Sequence, residues 1–136
     1  MRKVLLVVVV LLVSCLLFRA FAAGRAALTD LPTGSGAAVP LYPPLARAAS
    51  VQGVVVLMGT TSGDKIESTK VLSGHPLLAA AAESNIRTWT FIGNPPQTFE
   101  VTYRYRISDQ CKGTPSVKMD FPSGVTICSK PSPPIY

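Results

Sequence analysis

One histidine, one tryptophan, three cysteines and seven acidic side chains in 136 residues leave this chain short of the groups that most catalytic sites need. His75 has no second histidine to complete a metal set or a proton relay, and the cysteines show no CxxC spacing, so zinc has no donor pattern. There is no G-x-S-x-G, no HExxH, no phosphate-cradling glycine loop and no pair of carboxylates at a catalytic spacing. The expectation is a protein that is not an enzyme and that takes no metal or cofactor. Runs of like charge are missing too. The formal net charge is +6, but Arg2, Lys3 and Arg19 take three of the 13 basic residues, leaving ten scattered against seven acidic ones. A dispersed excess of this size does not predict a nucleic-acid partner.

What the chain does have, at its start, is apolar sequence. Arg2 and Lys3 precede residues 4–18, which carry no charge and almost no polarity. A positive pair before such a run is the pattern of an export signal, and apolarity all round argues against an ordinary amphipathic helix. The run is short of the roughly 20 residues that span a bilayer, although the alanines and Phe21 beyond Arg19 extend it. Three fates of residues 1–23 compete. Ala20-Phe21-Ala22 before Ala23 is an A-x-A-like cleavage site, which would release a soluble chain. Leu12-Val13-Ser14-Cys15 resembles the lipobox of bacterial lipoproteins, in which the cysteine is lipidated; otherwise Cys15 is a small apolar residue of the signal. An uncut segment would stay as a membrane anchor with its positive end inside.

Export makes the remaining cysteines informative. Cys111 and Cys128 are an even pair in a chain bound for an oxidising compartment, so a disulfide is expected, worth about 3 kcal/mol in the chain-entropy model. Two free buried thiols are the alternative.

Along the rest of the chain, residues 24–45 are rich in Gly, Ala and Pro without apolar periodicity and read as a linker. Gly53 opens the apolar run Val54-Val55-Val56-Leu57-Met58, a strand buried on much of both faces. Ser62-Gly63-Asp64-Lys65 turns it into a returning strand over residues 66–72. Pro76 then suits the first position of a helix reaching about Arg87, with Leu78, Ala82, Ile86 and Trp89 on one face and the pair Glu83 and Arg87 on the other. His75 reads as a helix-start residue and Trp89 as core packing. The cleanest strand is Thr98–Ile107, where Phe99, Val101, Tyr103, Tyr105 and Ile107 alternate with Thr98, Glu100, Thr102, Arg104 and Arg106. A tail hairpin follows, residues 117–121 and 125–128 around Pro122-Ser123-Gly124, and then a Pro-rich end.

Several separate stretches together resemble the C-terminal domain family of TonB, the energy transducer of the Gram-negative envelope. They are Tyr42-Pro43-Pro44 with Ala46 and Ala48, Gly53 with its valines, Gly63-Asp64-Lys65-Ile66, Ser73-Gly74-His75-Pro76-Leu77-Leu78, and Trp89-Thr90-Phe91. The resemblance covers residues 39–107. It implies an α+β fold, a small antiparallel sheet with one packed helix over residues 46–110, to which residues 111–136 add a C-terminal hairpin and tail.

In that family the domain binds the short N-terminal segment of an outer-membrane receptor by adding it to a sheet edge, in the service of transmembrane transport. The resemblance therefore implies a periplasmic location and an envelope protein partner of the TonB-dependent receptor kind. It places docking on Thr98, Glu100, Thr102, Arg104 and Arg106, with the two arginines free to steer an acidic segment. A tail hairpin laid against that strand would instead occupy the edge. Two departures open a second reading. The linker is short for a spacer that crosses the periplasm, and Phe18 stands four residues after Ser14, where the family's anchor carries a histidine. Both suit a stand-alone module, released or lipidated, that makes protein contacts without transferring energy.

Overall fold

The computed structural model describes residues 33–93, 96–113 and 115–133. The expected export segment, residues 1–23 with Cys15, and residues 24–32 of the expected linker lie outside the described residues. The chain divides between Asp30 and Leu31, and every element below belongs to the second unit. Seven strands, β1 (Gly34–Gly36), β2 (Gly53–Ser62), β3 (Lys65–Ser73), β4 (Thr90–Phe91), β5 (Thr98–Ile107), β6 (Ser116–Asp120) and β7 (Gly124–Ser129), form one sheet in the order β1-β4-β3-β2-β5-β7-β6. Two helices accompany it, α1 (Pro44–Ala48) and α2 (Pro76–Ile86).

Local chemistry explains the elements. Gly63, at φ 67°, supplies the left-handed residue that lets β2 return as β3. Pro76 sits in the first turn of α2, and His75 caps it, its Nδ1 accepting from the Leu77 amide at 3.3 Å. Gly74, at φ 130°, packs so closely that an added Cβ would lie 2.9 Å from the Val55 Cα, so only glycine carries the chain from β3 into the helix. Leu78, Ala82, Ile86 and Trp89 are all fully buried on one face of this segment. They meet Val55 and Leu57 of β2, Phe99, Val101, Tyr103 and Tyr105 of β5, and Val125 and Ile127 of β7 in one core. Gly59 helps the helix approach, since a Cβ there would stand 3.2 Å from the Ile86 side chain.

The expected fold, a small antiparallel sheet with one packed helix and an appended hairpin, is corrected on three points. The sheet is mixed and larger, a seven-stranded curled half-barrel. Residues 111–129 are no appendage, because β7 lies parallel to β5, from Thr102 opposite Gly124 to Ile107 opposite Ser129. The physical reason is burial: Val125 and Ile127 alternate inward and complete the core beside Tyr103 and Tyr105. Among the described residues a second helix accompanies the expected one, since Pro44 starts the short α1, which buries Ala46.

The stretch read as linker also joins the fold in its second half. Gly34 and Gly36 pair with β4, and Pro40, Tyr42 and Ala46 point inward. Tyr42 donates its hydroxyl to the Val51 carbonyl at 2.7 Å and meets Tyr105 edge to face. Phe121 packs on Trp89 with ring centres 4.4 Å apart and lies against Gly34, where any side chain would collide with its ring. The curl thus draws the β6–β7 turn toward β1.

Strand β2 is not buried on both faces. Val55, Leu57, Gly59 and Thr61 face the core, while Val56 and Met58 are half-buried and Val54 is 50% exposed on the other side.

Candidate functional site

A row of unused backbone N–H and C=O groups is what strand addition needs, so the functional question turns on which edges of this sheet are free. The expected docking strand, β5, is interior. On one side it pairs with β2 from Thr98 opposite Thr60 to Tyr105 opposite Gly53, and on the other with β7 from Thr102 to Ile107. Along residues 102–107 an incoming segment has no backbone row to join, and only residues 98–101 lack a neighbour on the β7 side. The side chains named for docking, Thr98, Glu100, Thr102, Arg104 and Arg106, do share one face, turned away from α2.

The terminal strands β1 and β6, three and five residues long, are open on their outer sides, but the longest open edge among the described residues is that of β3. It pairs with β2 along its length, from Ser73 opposite Val56 to Lys65 opposite Ser62. On its outer side it meets β4 at Lys65 alone, opposite Thr90. Among the described residues nothing pairs with that side of residues 66–73. The edge carries Glu67 and Lys70 and two register irregularities, devices that discourage self-association. Toward its end Val71 and Leu72 are more than a third exposed, and Leu77 at the start of α2 is equally open. Thr69 anchors the strand to the helix, donating to Glu83 Oε1 at 2.9 Å and accepting from Arg87 Nη2 at 3.3 Å. The expected Glu83 and Arg87 pair forms at 4.0 Å beside it.

Between α2 and β5 lies a buried polar junction that periodicity could not reveal. Asn85 sits on the apolar side of α2, where Oδ1 accepts from Trp89 Nε1 at 3.1 Å and from the Tyr103 hydroxyl at 2.9 Å. Its Nδ2 donates to the Ala38 carbonyl at 2.7 Å, tying the segment before α1 to the helix. Burial raises the phenol pKa of Tyr103 and Tyr105 well above the ordinary value, with a smaller push from a neighbouring tyrosine in each case, and burial raises that of Tyr42 as well. The only sequence signal for Asn85 was an amide two positions beyond Glu83, on the wrong side of the polar face.

Cys111, just past β5, and Cys128, in β7, are disulfide-bonded with Cα atoms 5.7 Å apart. His75 caps the helix and Trp89 is fully buried, so both serve structure. The clefts among the described residues include two without charged lining. One of about 620 Å³ lies between Gly34, Gly36, Phe121 and Pro122, and one of about 270 Å³ lies between Val39, Leu41 and α2. Neither is lined by a carboxylate, an amine or an imidazole, and no group of three metal-binding side chains occurs among the described residues. No helix among them is long and apolar enough to cross a membrane. Compared with protein-family models and with curated proteins, the chain matches none.

Proposed function

We propose that this chain is an envelope protein-interaction module of the TonB C-terminal kind, which docks an extended segment of a partner protein by strand addition to the outer edge of β3. The observation that carries the reading is the edge itself: residues 66–73 are paired on one side only, whereas β5 is enclosed from Thr102 onward. The disulfide between Cys111 and Cys128 supports an oxidising compartment such as the periplasm. The partner class that the resemblance suggests is the N-terminal segment of an outer-membrane receptor.

Two observations favour a stand-alone module over an energy transducer. Strand β7 occupies the side of β5 on which the family resemblance places docking. The first strand among the described residues begins at Gly34, and a fully extended chain of the ten residues between it and Ala23 measures about 35 Å, short for a spacer that crosses the periplasm.

The test is an NMR titration of the labelled protein with receptor N-terminal peptides. Outward amides of β3 should gain protection from exchange, and replacing Val71 and Leu72 together by lysine should weaken binding several-fold. Protection gained only at β5, or no binding by any such peptide, would overturn the reading.

A further inference from the structure

The face of the sheet turned away from α2 is exposed and separate from the β3 edge. Register places Val54 beside Arg104, Arg104 beside Thr126 and Thr126 beside Lys118, while Met58 lies between Lys70 and Glu100. Val54 is 50% exposed and Val56 and Met58 are partly so, and no described element covers them. A central strand with aliphatic side chains on both faces is the composition of a strand covered on both faces, yet the helix covers only one.

The charges select what would cover the other. Arg104 and Arg106 are exposed, and neither has a carboxylate within ion-pair distance among the described residues. Lys118 is held by Asp120 at 3.3 Å. Two free guanidinium groups beside an aliphatic strip fit carboxylates flanking an apolar stripe. A uniformly anionic bilayer fits less well, because Glu100 and Asp120 stand on the same face and would be repelled by it.

We infer that this face binds an acidic amphipathic helix of a protein partner, whose apolar stripe lies on Val54, Val56 and Met58 and whose carboxylates meet Arg104 and Arg106. The helix completes a helix–sheet–helix sandwich, and the small area points to a transient complex.

The test uses the full chain in zwitterionic micelles and a dye-labelled amphipathic helix of leucines and glutamates, with a lysine-for-glutamate copy as control. The glutamate helix should bind with an affinity on the order of micromolar, shift the amides of Val54, Val56 and Met58, and weaken with salt. The double variant Arg104→Glu with Arg106→Glu should lose about tenfold in affinity and take the lysine helix instead. Val54→Asp should also weaken the glutamate helix while leaving both arginines in place. Equal binding to the wild type and the double variant would overturn the inference, as would shifts confined to β3 or displacement of the peptide by phosphatidylglycerol added to the micelles. Both arginines are exposed, so an unchanged thermal melt should accompany the double variant.

Discussion

Asn85 has more resting on it than any other polar side chain described. It is buried, and its amide joins α2 to Trp89, to Tyr103 of β5 and to the Ala38 carbonyl. Replacing it by leucine would strand an indole N–H, a phenol and a carbonyl in the core, and each such orphan costs roughly 1–3 kcal/mol. Asn85→Leu should therefore lower stability by about 3 kcal/mol or more, read as a fall in the denaturant midpoint with an unchanged slope. The tyrosines make a separate prediction about pH. Their phenol pKa values are raised in the folded state, so the stability they protect is fully present below pH 10, the ordinary phenol value. Above it the unfolded chain loses protons that the folded chain keeps. Stability should then fall by up to about 1.4 kcal/mol per pH unit for each such tyrosine. Melts taken between about pH 9 and about pH 11.5 should show this decline, and Tyr103→Phe should make it shallower.

Among the elements, β7 changes the molecule most. It lies parallel to β5, so the chain must cross over between them, and residues 108–123 make that crossing by way of β6. The disulfide closes the same loop, 17 residues apart in sequence. Thiol labelling of the oxidised protein should leave Cys111 and Cys128 unmodified, and reduction should cost about 3 kcal/mol, measured by denaturant melts with and without reductant. Strand β5 and helix α2 were legible from periodicity because each buries one face: Phe99, Val101, Tyr103 and Tyr105 alternate inward, and Leu78, Ala82 and Ile86 recur every fourth residue. The partners of β5 were not legible. Alternation says which side chains face the core but is silent on which strand supplies the backbone hydrogen bonds at either side. For that reason the sequence could not show that β7 takes the outer side of β5 from Thr102 onward, nor that β3 keeps an open edge.

At the scale of the whole molecule, the second unit has a long open edge at β3 and an uncovered face of the sheet among the described residues. Strand β2 supports both, since it holds β3 on one side and presents Val54, Val56 and Met58 to solvent. The amino-acid sequence by itself determined the approximate positions of β2, β3, β5, β6 and β7, the helix that starts at Pro76, the burial of Trp89 and the pairing of the two late cysteines. Each of these follows from local patterning, from backbone preference or from having one available partner. Only the tertiary structure decided that residues 34–48 belong to the fold, that the tail strand β7 lies inside the sheet, and that β3 keeps the longest open edge among the described residues. Those outcomes depend on which distant segments bury each other's apolar faces, as Phe121 does against Trp89 and Gly34, and no window of neighbouring residues contains both halves of such a contact.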